Sequence, residues 1–256
     1  MGRLDDKVCI ITGAASGMGK EMAILFLDEG AKVVAADINQ DRLNELQAEI
    51  ESKGQTVTTT IANIAKKEEV EAMVQKAVDT HGKLDVLVNN AGVMDQFQPI
   101  GDVEDKGWEF IMDVDLNGNF YGMRAAVQQF EKQGGGVIVN NGSIAGIRGG
   151  RAGASYTAAK HAMVGMTLNT AHMYAKEGIR CNMICPGSTA TNISETYGDL
   201  SAISDRIKDR VFTGMAINPR QAEAIEVARV ALFLASDESS VVNGAIITAD
   251  TGFSAY

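Results

Sequence analysis

The sequence predicts a doubly wound α/β fold, in which a parallel sheet of about seven strands carries helices on both faces in three layers. Apolar runs of strand length alternate with longer helix-like segments along the whole 256-residue chain. The strand runs are nearly continuous in apolar residues, which is typical of parallel strands buried on both faces. No internal repeat, low-complexity tract or proline-rich linker interrupts this alternation. We therefore expect a single domain over residues 1–256.

The predicted elements follow one another in a regular order. The strands are KVCIIT, AKVVAAD, TVTTTIA, LDVLVNNAG, VIVNNGS, GIRCNMICPG and GAIITAD. The helices between them are GMGKEMAILFLDEG, DRLNELQAEIESKG, KEEVEAMVQKAVDTHG, a long helix from about Ala154 to Lys176, and AEAIEVARVALFLAS. In the second helix, Leu43, Leu46 and Ile50 recur at helical spacing and predict a buried face.

Composition and charge exclude several classes of function. Apolar residues make up 45% and charged residues 22%, which is an ordinary globular balance. The net charge of −10 predicts a surface that repels phosphate backbones, so we expect no nucleic-acid partner. Three cysteines scattered through apolar runs indicate neither a disulfide framework nor a metal site. Without a signal sequence or a long apolar span, we expect a cytoplasmic protein that does not enter the membrane.

A glycine-rich turn follows the first strand, where TGAASGMG contains Gly13, Gly17 and Gly19 and opens the first helix. Glycines let the backbone approach a pyrophosphate, and the helix N-terminus supplies N–H donors. Asp37 ends the second strand, near the offset expected for a carboxylate that binds the adenosine ribose. Asp37 would repel a 2′-phosphate, and Ile38, the next residue, is not basic. The pattern favours NAD over NADP; a purely structural glycine loop is the alternative.

A second group of residues fits acid–base chemistry on an alcohol. Tyr156 and Lys160 lie four residues apart and so share a helix face. Ser143 ends a strand 13 residues before Tyr156 and can reach the same point from the sheet. The Lys160 ammonium and an oxidised nicotinamide both favour the phenolate, so we expect the pKa of Tyr156 to lie well below its usual value of about 10. The alternative is a helix tyrosine with a solvated hydroxyl.

Five motifs in this order resemble the short-chain dehydrogenase/reductase family over nearly the whole chain. They are the Thr12–Gly19 turn, the Asn89–Gly92 segment, Ser143 with the Tyr156-x3-Lys160 pair, Pro186-Gly187, and Thr191. The resemblance implies a Rossmann-type fold, an NAD cofactor, oxidation of a secondary alcohol or the reverse reaction, and a homotetramer. It also implies that Ser143 holds the substrate oxygen, Tyr156 exchanges its proton, and Lys160 binds the nicotinamide ribose. The cofactor-binding residues implied are Gly13, Ser16, Gly17, Met18, Gly19, Asp37, Asn63, Ile64, Asn90, Ala91, Gly92, Tyr156, Lys160, Pro186, Gly187, Thr189 and Thr191, with no metal.

The chain departs from the family pattern at three positions, Asp115, Asn63 and Gly142, the last of which is a serine in many relatives. Family members often carry asparagine in a V-N-L-x-G segment as a fourth catalytic residue, whereas this chain has Asp115. The backbone carbonyl survives this change but the amide donor does not, and a carboxylate there would raise the pKa of Lys160. We keep Asp115 as a candidate catalytic residue. Asn63 stands where relatives usually have an aspartate beside the adenine.

Residues 188–217 are the least patterned part of the chain and follow the sixth strand directly, so we expect a substrate-binding lid there. Met94 and Met215 are candidate pocket residues and favour a bulky apolar substrate; together with the resemblance they suggest a hydroxysteroid. The alternatives are a 3-oxoacyl-thioester, a sugar or polyol, or an NAD(H) sensor without catalysis. Arg148 and Arg151 are either solvated surface residues or ligands of a substrate carboxylate.

Overall fold

All seven strands pair in one parallel sheet, which confirms the predicted fold class. The computed structural model describes residues 2–196 and 203–255. The strand order is β3-β2-β1-β4-β5-β6-β7. The strands are β1 Val8–Thr12, β2 Lys32–Asp37, β3 Thr58–Ile61, β4 Val86–Asn89, β5 Gly136–Asn141, β6 Ile179–Pro186 and β7 Ile246–Ala249.

Helices connect successive strands, and short segments of other helical geometry extend some of them. The α-helices are α1 Gly17–Asp28, α2 Gln40–Ser52, α3 Lys67–His81, α4 Asp105–Ile111, α5 Asn119–Gln133, α6 Ala154–Met173, α7 Asp205–Ile207, α8 Thr213–Met215 and α9 Ala224–Ala235. π-Helical turns span Met112–Gly118 and Lys208–Phe212. 3₁₀ turns span Ile100–Asp102, Ile144–Gly146, Ala175–Glu177, Asn192–Thr196 and Asp237–Ser239.

The sheet separates two apolar cores, because successive side chains of a strand point to opposite faces. On one face, Cys9 and Ile11 of β1 pack with α1, α2 and α9. On the other face, Val8 and Ile10 of the same strand pack with α3, α5 and part of α6. Phe130 of α5 is fully buried in this second core. Both faces of the sheet are therefore covered, as the nearly continuous apolar strands predict.

Strand order reverses between β1 and β4, which are neighbours in the sheet although two strands separate them in sequence. A crevice forms outside the carboxyl ends of the strands at such a point, and ligands of open α/β sheets bind there. The glycine turn leaves β1 at this point, and the Asn90–Gly92 segment leaves β4 beside it. Topology alone thus brings two distant sequence motifs together.

One predicted helix end needs correction. Helix α6 ends at Met173 rather than Lys176, because Tyr174 leaves helical geometry (φ −111°, ψ 15°) and a 3₁₀ turn follows. The 188–217 segment, the least patterned in sequence, contains the Asn192–Thr196 turn and a short helical run from Asp205 to Met215; its role as a lid stays a prediction. Its residues 197–202 lie outside the described part of the chain.

The three cysteines, Cys9, Cys181 and Cys185, are all buried and unpaired. Burial raises the pKa of Cys181 to about 12 and that of Cys185 to about 11. These thiols are therefore unreactive at neutral pH. Among residues 2–196 and 203–255, no helix has the length and apolar character needed to cross a membrane.

Candidate active site

A cleft of about 460 Å³ opens at the carboxyl edge of the sheet, where the strand order reverses. This volume is in the range of small-molecule and cofactor sites. Its lining includes most of the residues that the sequence assigns to cofactor binding: Gly13, Ser16, Gly17, Met18, Asp37, Asn63, Ile64, Asn90, Ala91, Gly92 and Thr191.

Two glycines of the turn are required by close backbone packing beside the cleft. Gly13 has φ of +63°, and a Cβ built on it would lie 2.9 Å from the Cα of Ala91. The backbone therefore passes close to the Asn90–Gly92 segment without a side chain between them. Gly19 does not line the cleft; a Cβ there would lie 2.1 Å from the carbonyl oxygen of Gly13. Gly19 thus allows α1 to pack behind the turn and fix it.

Thr12 joins the two motifs at the floor of the cleft. Its hydroxyl accepts hydrogen bonds from the backbone N–H of Asn90 at 2.9 Å and of Ala91 at 3.0 Å. The Asn90 amide donates in turn to the Thr12 carbonyl at 2.9 Å, and Asn141 of β5 donates to Asn90 at 2.9 Å. Three neighbouring strand ends are therefore held in one hydrogen-bond network.

Asp37 lies at the end of the cleft that would hold an adenosine. Its carboxylate accepts from the backbone N–H of Ala15 at 3.0 Å and of Asn39 at 2.9 Å. Each carboxylate oxygen has a further lone pair, so both can still accept from ribose hydroxyls. Arg42 of α2 lines the same cleft, and its guanidinium binds Glu195 at 2.8 Å. This ion pair reaches from α2 to the 3₁₀ turn Asn192–Thr196.

The remaining predicted cofactor residues divide between the cleft and the strand ends. Asn63 accepts from the backbone N–H of Ala65 at 3.0 Å, which closes the turn beside Ile64. Thr191 lies against Gly17, where an added Cβ would meet the threonine side chain at 3.0 Å. Pro186 ends β6, and Gly187 and Thr189 follow it; all three lie outside the cleft lining. The Thr189 hydroxyl donates to the Gly187 carbonyl at 3.3 Å.

The candidate acid–base residues meet next to this cleft. Ser143 follows β5, and its hydroxyl accepts from the backbone N–H of Ala145 at 3.0 Å. Tyr156 stands on the first turn of α6, is 5% exposed, and has the Ser143 hydroxyl beside its phenol. The Nζ of Lys160 lies 5.0 Å from the centroid of the Tyr156 ring. The predicted alternative of a solvated tyrosine is therefore wrong.

Asp115 forms a buried ion pair with Lys160. Its Oδ1 accepts from the Lys160 Nζ at 2.8 Å, and the two side chains are 0% and 3% exposed. Asp115 lies in the π-helical turn between α4 and α5, and its carbonyl accepts from Asn119 at 2.7 Å. π-Helical turns inside helices occur frequently at functional sites because they redirect a side chain. Here the turn directs a carboxylate at the lysine of α6.

The electrostatics of this group differ from the sequence prediction for the tyrosine. Burial raises the pKa of Tyr156; Lys160 and Ser143 oppose the rise, and Asp115 and Asp95 add to it. Burial would lower the pKa of Lys160, but Asp115 and Tyr156 outweigh burial and raise it. Burial also raises the pKa of Asp115, against the opposing charge of Lys160. In the protein alone the pKa of Tyr156 is thus raised rather than lowered, first because the phenol is buried and then because Asp115 opposes the lysine charge.

The two arginines of the loop before α6 match neither predicted role completely. Arg148 is exposed, but it donates to the Ser254 carbonyl at 3.0 Å. Arg151 donates to the carbonyls of Gly214 and Phe253 and stacks on the Phe253 ring at 3.8 Å. Both therefore anchor the C-terminal segment, and Arg151 also holds the helical run that ends at Met215.

Comparisons with known proteins show which family the chain resembles. A family model described as enoyl-(acyl carrier protein) reductase matches residues 13–254. A protein of Eggerthella lenta named 3beta-hydroxysteroid dehydrogenase 2 is 43% identical over 254 residues, which cover 99% of this chain and 96% of the relative. A 3beta-hydroxysteroid dehydrogenase of Mediterraneibacter gnavus is 35% identical over 100% of this chain and 98% of its own. The chain belongs to the short-chain dehydrogenase/reductase family. The crystal structure of levodione reductase, 32% identical, superimposes with a TM-score of 0.90 over 99% of this chain and 100% of that one.

Sequence reasoning within this family missed several residues of the site. Arg42 and Glu195 were overlooked because nothing in their local pattern indicates that α2 and the segment after β6 approach each other. Asp95 was overlooked as well, although it lies only three residues after the Asn89–Gly92 motif. Its position close to a functional motif was the one indication in the sequence that Asp95 belongs to the site. That position does not reveal that Asp95 contacts the beginning of α6.

Proposed function

We propose that the protein is an NAD-dependent oxidoreductase that interconverts a secondary alcohol and a ketone. The observation that carries this proposal is the buried group of Ser143, Tyr156 and Lys160 beside a glycine-lined cleft. Membership of the short-chain dehydrogenase/reductase family supports oxidoreductase chemistry on a CH–OH group. A sensor that only binds NAD(H) does not require a tyrosine and a lysine that are buried together beside the cleft.

The glycine turn and Asp37 would hold the cofactor, and its nicotinamide, when bound, supplies the acceptor for the hydride from the alcohol carbon. The residues of the chain supply the rest. Ser143 holds the substrate oxygen by a hydrogen bond, and the Tyr156 phenolate takes the hydroxyl proton. In the reverse direction the Tyr156 phenol returns that proton to the ketone oxygen. Lys160 contributes a positive charge that favours the phenolate.

NAD rather than NADP is supported by the charges at the adenosine end of the cleft. The Asp37 carboxylate would repel a 2′-phosphate. Arg42 is the cation that lines the same part of the cleft, but its charge is already compensated by Glu195 at 2.8 Å. A 2′-phosphate would therefore be repelled by the Asp37 carboxylate and attracted little by Arg42.

A bulky apolar substrate, with a hydroxysteroid as the leading choice, is supported by the side chains at the substrate end. Met94 and Met215 pack beside the buried cluster of Phe97, Ile203 and Ile207. Arg148 and Arg151 both bind backbone carbonyls, so neither favours an acidic substrate. Two relatives carry hydroxysteroid dehydrogenase names, in agreement with this choice.

We also propose a homotetramer of single-domain subunits in the cytoplasm. The family resemblance implies the tetramer. Large apolar side chains remain exposed on the neighbouring helices α4, α5 and α6, namely Trp108, Phe110, Phe120, Leu168 and Met173. The pairing of seven strands in one sheet supports a single domain. Sedimentation velocity measures the assembly directly, and a monomeric protein would overturn the tetramer.

The test is reduction of NAD⁺ by the purified protein with hydroxysteroids, polyols and 3-hydroxyacyl thioesters, repeated with NADP⁺. We expect turnover with NAD⁺ and a hydroxysteroid. Tyr156→Phe should reduce kcat by about 10²–10⁴-fold, the usual contribution of a general acid–base residue, while NADH still binds by fluorescence titration. Tyr174→Phe, a tyrosine at the far end of α6, is the matched control. Near-normal turnover in Tyr156→Phe would refute the proposed proton transfer, and NADH binding without turnover on any substrate would favour the sensor.

A further inference from the structure

The loop after β4 contacts the first turn of the catalytic helix through one carboxylate. Asp95 accepts from the backbone N–H of Gly153 at 2.9 Å through Oδ1, and from that of Tyr156 at 3.0 Å through Oδ2. The Gln98 carbonyl accepts from the N–H of Ala154 at 2.8 Å. Three N–H groups at the beginning of α6 are thus bound by a segment almost 60 residues away in sequence.

Helix α6 depends on this loop because it has no cap of its own. The residue before its first turn is Gly153, which has no side chain to accept from the turn. The first N–H groups of a helix have no partner within it and need one from elsewhere. A Cβ on Gly153 would lie 2.5 Å from Asp95 Oδ2 and 2.6 Å from the Gln98 nitrogen. The glycine therefore gives Asp95 the space in which to cap the helix.

The same loop adopts a conformation that Asp95 helps to maintain. Phe97 has φ of 60°, in the left-handed region that bulky residues disfavour. Asp95 Oδ1 accepts the Phe97 N–H at 3.0 Å. The buried Phe97 side chain packs with Ile203 and Ile207 on the substrate side of the site. The N–H of Met94, also in this loop, donates to the hydroxyl of Thr196 at 2.9 Å.

We propose that Asp95 is a positioning residue for the reaction: it fixes Tyr156 by capping the first turn of α6. The amide that Oδ2 binds belongs to the acid–base tyrosine itself, so the cap and the reacting group lie on the same residue. This inference rests on the role proposed above for Tyr156.

The charge of Asp95 acts on a phenol that other groups also surround. Lys160 faces the phenol from its own helix, Asp115 from the π-helical turn, and Ser143 from the end of β5. Lys160 and Ser143 lower the pKa of Tyr156, whereas Asp115 and Asp95 raise it. Loss of the Asp95 charge should therefore lower the pKa of Tyr156, even though Asp95 does not touch the phenol oxygen.

The experiment compares Asp95→Asn with Glu104→Gln, an exposed acid at the beginning of α4 whose side chain caps no N–H. The kcat for alcohol oxidation is measured against pH. The curve gives two quantities: the plateau kcat at high pH, and the midpoint, which is the pH at which kcat is half of the plateau. In Asp95→Asn we expect the plateau kcat to fall about 10-fold or more, since small misplacements of a reacting group cost up to about 10²-fold. The midpoint should move to lower pH and the KM for NAD⁺ should change little. Glu104→Gln should change none of these.

Two further variants keep the test decisive if Asp95→Asn does not fold. Gly153→Ala retains the carboxylate but pushes the loop away from α6, so its plateau kcat should fall. Asp95→Glu keeps the negative charge but places the carboxylate on a longer side chain. Its midpoint should therefore stay near that of the unmodified protein, while its plateau kcat falls. A folded Asp95→Asn or Gly153→Ala with lowered thermal stability but unchanged plateau and midpoint would show a structural cap only and overturn the proposal.

A second readout needs no substrate. The absorbance of tyrosinate is titrated against pH in Asp95→Asn and in the unmodified protein. In each case the titration curve of the same protein with Tyr156→Phe is subtracted, which leaves the signal of Tyr156. We expect the Tyr156 transition to move to lower pH in Asp95→Asn, and an unmoved transition would refute the electrostatic part. Absence of turnover by the unmodified protein would instead count against the proposed function, so the two failures are distinguishable.

Discussion

Replacement of Asp115 by asparagine tests how the buried ion pair sets the basicity of the tyrosine. The Asp115 carboxylate lies 2.8 Å from Lys160 Nζ, and both side chains are almost fully buried. Asparagine is nearly the same size and keeps one oxygen toward the ammonium, but it removes the negative charge. Lys160 then acts on Tyr156 without a compensating carboxylate.

The size of the stability effect follows from the same contact. Two unit charges 2.8 Å apart attract by about 6 kcal/mol at an effective dielectric constant of about 20. Desolvation of both ions opposes most of this attraction, and removal of one partner of a buried pair typically costs about 3–5 kcal/mol. Asp115→Leu should lower the free energy of unfolding by that amount. Asp115→Asn should lower it by about 1–3 kcal/mol, because a hydrogen bond to the ammonium remains.

The effect on activity has a definite sign. The raised pKa of Tyr156 means that the phenolate is scarce near neutral pH, so alcohol oxidation should increase as pH rises. Asp115 contributes to that raised pKa; its neutralisation therefore lowers the pKa and moves the rising limb of kcat to lower pH. The plateau should change little, since Ser143, Tyr156 and Lys160 all remain.

The assay is NAD⁺ reduction at increasing pH up to about 10.5, slightly above the pKa of free tyrosine, and it compares the position of the rising limb of kcat between variants. Urea unfolding is measured for each variant. Glu109→Gln, an exposed acid on α4, is the control for loss of one negative charge. A rising limb that stays in place or moves to higher pH would refute the electrostatic reasoning. A folded Asp115→Asn protein without activity would instead assign the carboxylate a direct part in proton transfer.

Two other predictions concern the cleft and the core. Glu195→Gln should increase the NADH dissociation rate about 2–5-fold, because the Arg42–Glu195 pair joins the two sides of the cleft but is exposed and therefore weak. Stopped-flow displacement at low salt measures this rate. An equal rate in Glu195→Gln and the unmodified protein would show that the ion pair does not retain NADH in the cleft. Phe130→Ala should lower the free energy of unfolding by about 3–5 kcal/mol, since the ring is fully buried between α5 and the sheet. Val241→Ala, which truncates a side chain 93% exposed, should change it little; a similar loss in both would contradict the burial argument.

Local pattern was enough to predict the sheet because its inner strands have to be apolar on both faces, and the sequence shows this directly as continuous apolar runs such as VCIIT and VLVN. The glycine turn, Asp37 and the Tyr156–Lys160 pair were also predictable, since each depends on short spacing within one element. The direction of the Tyr156 pKa was predicted wrongly. The pKa of Tyr156 depends partly on the charges of Asp115 in the π-helical turn and of Asp95 in the loop after β4. Neither residue is close to Tyr156 in sequence.

The sequence by itself determined the order of the seven strands, five of the helices and the residue types of the site, because these depend on periodicity and on neighbours a few positions apart. Helices α4 and α5, between β4 and β5, were not predicted. Only the tertiary structure decided that Asp115 lies against Lys160, that Arg42 pairs with Glu195, and that Asp95 caps the helix of Tyr156. These contacts join segments between 45 and 153 residues apart. Their geometry is set by how the helices pack on the sheet, and no local pattern in the chain encodes that packing.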